Sequence, residues 1–429
     1  MPVLTLRSCT IALLAALLAT WPAGVHGQAP QQPTFRSGVE VVLIDVNVVD
    51  KSAKPVDDLQ AEDFTVNVDR KPRKIVSAVY INHGTATGLK TGGPTGDSQP
   101  VGLPGSGPGA PAPAPGRNVL VVVDEDSLDT GDGLVAKRAA GGFLDRLPAS
   151  DRVGVLTIPR LKSAVKLSTD RADARKALDA VIAGRDAQDL GEYWIGLEEA
   201  YGIDRNDAGV VGEVVSRECK CQYPRGCSAE CVQGVLAQAH RMAMTAKMRA
   251  QRSLDALRAM ANGMRRLAGP KTVVLVSGGL PTPESTRSFS EIEQAFASAQ
   301  ITLYTLYIER MQYGQAKIAR LPPNPSADDR LEGYGVENVT SAAGGTFIPI
   351  IGKVEPAFER VATEMAGSYL LGIEVTTSDR DGRPHLVAVK TSRPGWRSDR
   401  ASSTSSSRRN GGNEDGRNNN AGPALTVSS

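Results

Sequence analysis

Asn118-Val119-Leu120-Val121-Val122-Val123-Asp124-Glu125-Asp126-Ser127 is the stretch on which the fold turns. An unbroken aliphatic run, too short for a helix of the core and with no polar alternation, reads as a strand covered on both faces. Its last apolar residue is followed at once by three carboxylates. Working outward, the same kind of run returns at 152–158, 271–277, 301–307 and 346–350. Helical patterns separate these runs: 134–147, with Leu134, Phe143, Leu144 and Leu147 as inward positions, a helix capped by Asp170 and running to about 182, then 290–299, 335–343 and 354–365. Residues 164–167 read as a short edge strand. Alternating strands and helices predict an α/β fold: a doubly wound, mostly parallel, Rossmann-like sheet with helices on both sides.

Two insertions break the rhythm. The first, at about 202–233, holds the cysteines. A long helix over 234–267 follows it, whose Met244, Met248, Leu254, Leu257, Met260, Met264 and Leu267 recur at helical spacing and read as core packing. The second, at about 310–333, contains Pro322-Pro323-Asn324-Pro325 and reads as a loop. Outside the α/β region, 34–82 is a small β-rich unit with strands at 39–49, 63–68 and 74–81. It amounts to half of a sandwich and has too little core to stand alone. Residues 83–116, rich in Gly, Pro, Ser and Ala, read as a linker. Strands at 369–375 and 385–390, flanking a turn-rich 378–384, read as a closing β-hairpin, which puts the α/β domain at 117–395. Residues 396–429 are mostly Ser, Arg, Asn and Gly and read as a disordered tail.

Composition narrows the function. Lys plus Arg is 49 against 47 for Asp plus Glu, and aromatics are 4 % of the 429 residues, so neither a nucleic-acid surface nor a polybasic membrane binder is expected. The first 27 residues, with Arg7 before the apolar run 9–21 and small residues at Val25 and Gly27, read as a cleavable export signal with cleavage near Gly27. The run is shorter than the roughly 20 residues that span a bilayer, so no transmembrane anchor is expected after cleavage and the mature chain is secreted or periplasmic. In that compartment Cys219, Cys221, Cys227 and Cys231 read as two disulfides. Cys219 and Cys221 are too close for an easy mutual bridge, so each pairs with Cys227 or Cys231. Their spacing, C-x-C-x5-C-x3-C, departs from the paired C-x-x-C knuckles of a zinc site.

The acidic end of the first strand, the later Leu275-Val276-Ser277-Gly278-Gly279 and the order of elements together resemble the von Willebrand factor type A (VWA) domain. Two flanking segments are similar to the VWA-related family of exported acidobacterial proteins. One is Val48-Val49-Asp50 through Pro55-Val56 to Leu59 and Asp63-Phe64. The other is Gly344-Gly345-Thr346-Phe347 followed by Tyr369-Leu370-Leu371-Gly372. The resemblance implies protein binding at the C-terminal edge of the sheet, with a divalent cation held at an Asp-x-Ser-x-Ser strand end, a loop Thr and a later Asp. Here Asp124 matches the first Asp, Asp126 and Leu128 stand at the two Ser positions, and Gly278 stands where the later Asp belongs. The implied metal-ion-dependent adhesion site is therefore degenerate, with Asp124 and Asp126 as its remaining metal candidates, and no cofactor is required, with Mg²⁺ or Ca²⁺ as the candidate ions.

The expected function is an exported adhesion or scaffold module that binds a protein partner through the edge loops carrying Asp129, Asp132, Asp186, Asp189, Ser277, Gly278, Gly279 and Glu284. The alternatives are a divalent-metal-dependent enzyme built on the acidic cluster and a structural component of an envelope assembly. No catalytic residues are assigned. His26, His83, His240 and His385 lie in the signal, linker, long helix and hairpin, none beside a nucleophile elbow, and Ser277-Gly278-Gly279-Leu280-Pro281 lacks the Lys of a phosphate loop.

Overall fold

The computed structural model describes residues 41–84, 116–161, 166–184, 191–282, 288–309, 323–376, 379, 385–392, 397–399 and 424–427. Strands β1 (Val41–Val49), β2 (Phe64–Val68), β3 (Lys71–Arg73) and β4 (Ile75–Asn82) come first. The α/β region follows: β5 (Asn118–Asp124), α1 (Thr130–Arg146), β6 (Arg152–Ile158) and α2 (Arg171–Asp179). Three helices then succeed one another: α3 (Leu197–Asp204), α4 (Ala208–Cys219) and α5 (Ala229–Met264). The alternation resumes with β7 (Lys271–Ser277), α6 (Ser288–Ala299), β8 (Ile301–Ile308), α7 (Pro325–Ala342), β9 (Thr346–Ile350) and α8 (Glu355–Glu364). Strands β10 (Gly367–Glu374), β11 (His385–Thr391), β12 (Arg397–Asp399) and β13 (Ala424–Val427) close the series.

The central sheet has the order β6-β5-β7-β8-β9, and every pairing in it is parallel. All residues of β5 and β7 are buried, as their unbroken aliphatic runs require. One face packs on α1, α2 and α8 through Val121, Val123, Phe143, Leu144, Phe358 and Val361. The other packs on α5, α6 and α7 through Leu120, Val122, Leu257, Phe296 and Val336. This is the mixed α/β, Rossmann-like arrangement expected. At the edge, Ser168 makes one antiparallel bridge to Val153; of the strand expected at 164–167, positions 164 and 165 lie outside the described residues and 166 and 167 are not in a strand.

The expected C-terminal hairpin does not form. Strand β10 lies between β1 and β4, in the sheet β12-β1-β10-β4, while β11 joins β2 in the sheet β13-β11-β2-β3. The two sheets enclose one core of Ile44, Val46, Val66, Val68, Tyr369, Leu371, Val387 and Val389. The physical reason is the shortage of core in the N-terminal unit: its strands need partners, and the last strands of the chain supply them. Tyr369 anchors the arrangement, accepting from the Leu59 amide at 2.9 Å and packing its ring against Phe64 and Tyr80. The α/β body therefore ends with α8, ahead of position 395.

Other expectations are refined. Helix α7 starts at Pro325, inside the segment read as a loop. Asn324 caps it, accepting from the Ala327 amide at 3.2 Å, and a proline in the first turn loses no hydrogen bond. Of the long helix, Leu254, Leu257, Met260 and Met264 are core, but Met244 and Met248 are exposed. Leu134 also faces solvent. Asp170 caps α2 as expected. The signal segment and most of the linker lie outside the described residues, as does the tail apart from β12 and β13. Among the described residues no helix is long and apolar enough to cross a membrane.

Candidate functional site

Strand β6 continues from β5 on one side of it and β7 pairs on the other, so the connections diverge between β5 and β7. That switch point is where open parallel sheets form a crevice at the strand C-termini. Two loops meet there. Val123 sits opposite Val276 in the parallel register, which brings Asp124 and Gly278 to the same rim. The Ser127 hydroxyl donates to the Asp124 carbonyl at 2.9 Å and accepts from the Gly278 amide at 2.9 Å. The Ser277 hydroxyl donates to Asp124 Oδ2 at 3.2 Å and accepts from the Gly279 amide at 3.2 Å.

Asp124 is 3 % exposed, and its Oδ1 is buried with no hydrogen-bond partner. Burial pushes its carboxyl up to about 7. The Arg249 charge and the two serine hydroxyls oppose this, and the neighbouring Asp126 adds to it. Gly278 has no room for a side chain, since a Cβ would stand 2.5 Å from the Ser127 carbonyl oxygen. Gly279, at φ +138°, turns the chain against Glu332, whose Cβ would lie 2.6 Å from a side chain placed there.

The other expected site residues disperse. Asp126 pairs with Arg160 at 2.7 Å. Leu128, at the second Ser position of the VWA pattern, is fully buried in the core beneath α1. Asp129 caps α1, accepting from the Asp132 amide at 2.8 Å. Asp132 lies in that first turn. Asp186, Asp189 and Glu284 lie outside the described residues. Ser277, Gly278 and Gly279 reach the rim but are buried, as are Leu280 and Thr282, so this part of the expected binding edge is not a surface.

The cover is the three-helix segment α3–α5, which carries the cysteines, together with α7. Tyr201 of α3 donates to the Pro281 carbonyl at 2.8 Å, and Arg249 of α5 pairs with the fully buried Glu332 at 3.1 Å. Glu332 also offers its carbonyl to the Leu280 amide at 3.0 Å. Asp328, one turn earlier on α7, accepts from the Glu198 amide at 2.8 Å. These three helices and the segment leading into them share a core of Ile195, Tyr201, Val215, Val235 and Ala239. Disulfide Cys219–Cys231 ties the end of α4 to the start of α5 and Cys221–Cys227 closes the loop between them, one of the pairings left open by the spacing.

Among the described residues, the rim beside β5 is open. Glu125, itself buried, accepts from the Ile182 amide at 3.0 Å, and its carbonyl accepts from the Gly184 amide at 3.2 Å. Gly133 of α1 lies so close on Ala183 that a side chain there would overlap it. These contacts leave Leu134, Val135 and Ile182 exposed at 57 %, 37 % and 71 %. The described histidines do not join this rim network: His83 meets Ser368, His385 meets Asp69, and His240 is exposed on α5.

Sequence reading assigned no role to Ser127, Glu125, Tyr201, Arg249 or Glu332. For Glu332 a signal existed: Asn324-Pro325 marks a helix start, and from it Asp328, Glu332, Val336 and Val339 fall on one face, two carboxylates on a core stripe. Among the described residues no group of three or more His, Cys, Asp or Glu side chains is placed to hold a metal ion. No protein-family model matches the chain, and comparison with curated proteins finds no significant match.

Proposed function

We propose that the chain is an exported protein-binding module of the adhesion or scaffold kind, with a VWA-like body and a β-sandwich, that meets its partner at the open part of the rim. The observation that carries this reading is the exposure of Leu134, Val135 and Ile182 beside the Asp129 cap. Aliphatic surface held in water is recovered on burial at about 25 cal/mol per Å², and grouped exposure of this kind marks interaction surfaces. The backbone beneath is held firmly: the Glu125 carboxylate fixes the Ile182 amide, and Gly133 lets α1 close on Ala183. A pre-organised patch loses little conformational entropy on binding. Export is supported by the two disulfides, which persist in oxidising compartments. The rival metal-dependent enzyme needs converging carboxylates, whereas Asp126 is held by Arg160 and Asp129 by its helix.

The test is site-specific photo-crosslinking in cells that export the protein, with the probe at Leu134, at Ile182 and, as control, at the exposed Asp145 near the other end of α1. Discrete light-dependent adducts from positions 134 and 182, absent from 145, are expected. Adducts equal at all three positions, or none at 134 and 182, would overturn the proposal.

A further inference from the structure

We infer that the two loops at the β5/β7 switch point are joined by a serine–amide network that takes the place of a divalent-cation centre, so that this chain binds neither Mg²⁺ nor Ca²⁺ there. The donor inventory carries the inference. Mg²⁺ demands about six oxygens in an octahedron and Ca²⁺ takes six to eight. Each serine hydroxyl has one proton to give, and both are spent: Ser127 on the Asp124 carbonyl, Ser277 on Asp124 Oδ2. Each hydroxyl also accepts a backbone amide, Gly278 for Ser127 and Gly279 for Ser277. What remains is Asp124 Oδ1 and one lone pair on each serine oxygen, at most half of the about six oxygens an octahedral ion needs. The other positions of the motif cannot be recruited by a small movement. Asp126 would have to leave Arg160, Leu128 is core, and no carboxylate fits at 278, where the first carbon of a side chain meets backbone. A positive charge already acts on Asp124 from Arg249, which the cross-linked α5 carries in.

The inference concerns the isolated chain and needs no partner, so its failure and the failure of the binding reading are separate results. The full mature protein is melted in EDTA and in millimolar Mg²⁺, Ca²⁺ or Mn²⁺, and titrated with each ion by calorimetry. The expected results are one melting temperature in all four conditions and no binding heat. Asp124→Asn, which removes the anionic oxygen, is expected to melt no lower than the wild type at pH 8, whereas a cation ligand would be missed. Ser127→Ala is expected to lower the melting temperature by the same amount with and without ions. A melting temperature that rises with ion concentration, and that no longer rises in Asp124→Asn, would overturn the inference. So would saturable heat at stoichiometric Mg²⁺ or Ca²⁺.

Discussion

The two halves of the C-terminal rim start from equivalent strand ends and finish in opposite states. Over β7 the turn from Ser277 to Thr282 is buried beneath Tyr201, Arg249 and Glu332, and its contacts are polar. Beside β5, Asp129, Thr130, Gly131, Leu134, Val135 and Ile182 are exposed, and the last three are aliphatic. The difference comes from the chain between α2 and β7, which builds three helices before the sheet resumes. In the sealed half water is excluded and the serine hydroxyls and glycine amides are matched, with Asp124 Oδ1 and Thr282 Oγ1 left unpaired. An aliphatic group in water is worth keeping only where something else will cover it. The sealed half is therefore expected to govern stability and the open half recognition.

The largest expected effect probes the sealed half through pH. Burial disfavours the charge of the folded Asp124 carboxyl and pushes it up to about 7, from 3.8 when exposed. Between those values the unfolded chain releases the proton while the folded chain keeps it, so stability falls as pH rises from 4 to 7 and levels off above. Asp124→Asn lacks this slope. Relative to it, the wild type should lose about 3 kcal/mol across that range. The check is urea unfolding of both proteins at pH 4, 5, 6 and 7. Parallel pH profiles would mean that Asp124 is solvated and the half is not sealed.

Next in size is the cross-link that pins the cover. Cys219 and Cys231 are 12 residues apart, and opening that loop should cost about 3 kcal/mol by chain entropy. With both replaced by serine, hydrogen exchange should quicken in α3, α4, the start of α5 and the 278–282 turn. It should stay unchanged at 129–135 and 182. Quickening at both halves alike would show that they are one mechanical unit. A smaller loss, about 2 kcal/mol by overpacking, is expected for Gly278→Ala, whose methyl meets the Ser127 carbonyl, while the same change at the solvent-facing Gly131 should cost less.

The sheet was legible because β5 and β7 carry their burial in their own composition: a strand covered on both faces has no polar alternation to misread. The meeting of Asp124 with Gly278 followed from that, since parallel neighbours place their ends at one rim. The strands β10 and β11 look like a hairpin because nothing local distinguishes pairing with each other from pairing with β1 and β2, whose partners lie some three hundred residues away in sequence. That choice belongs to the shared core around Tyr369. The sealing of the rim was equally invisible. Glu332 could be placed on the core stripe of α7, but Arg249, 83 residues away, looks like a surface charge on an amphipathic helix until the two helices are docked. Ser127 stood in plain view beside the acidic cluster, but its role depends on the Gly278 amide.

The smallest expected change in stability is the most demanding test of the open half. Ile182→Asp places a carboxylate where the wild type shows an exposed isoleucine, and its backbone amide keeps the bond to Glu125. A surface substitution of this kind should move unfolding by no more than about 0.5 kcal/mol. It should nevertheless remove the photo-adducts formed from position 134, because a charge set in an apolar contact must be desolvated without a partner. The two measurements constrain each other. A large stability loss would mean that Ile182 is covered within the molecule, and the contrast between the halves would collapse. Unchanged stability with unchanged adducts would place the contact elsewhere on α1. Only unchanged stability with lost adducts separates a surface kept for binding from one kept for folding.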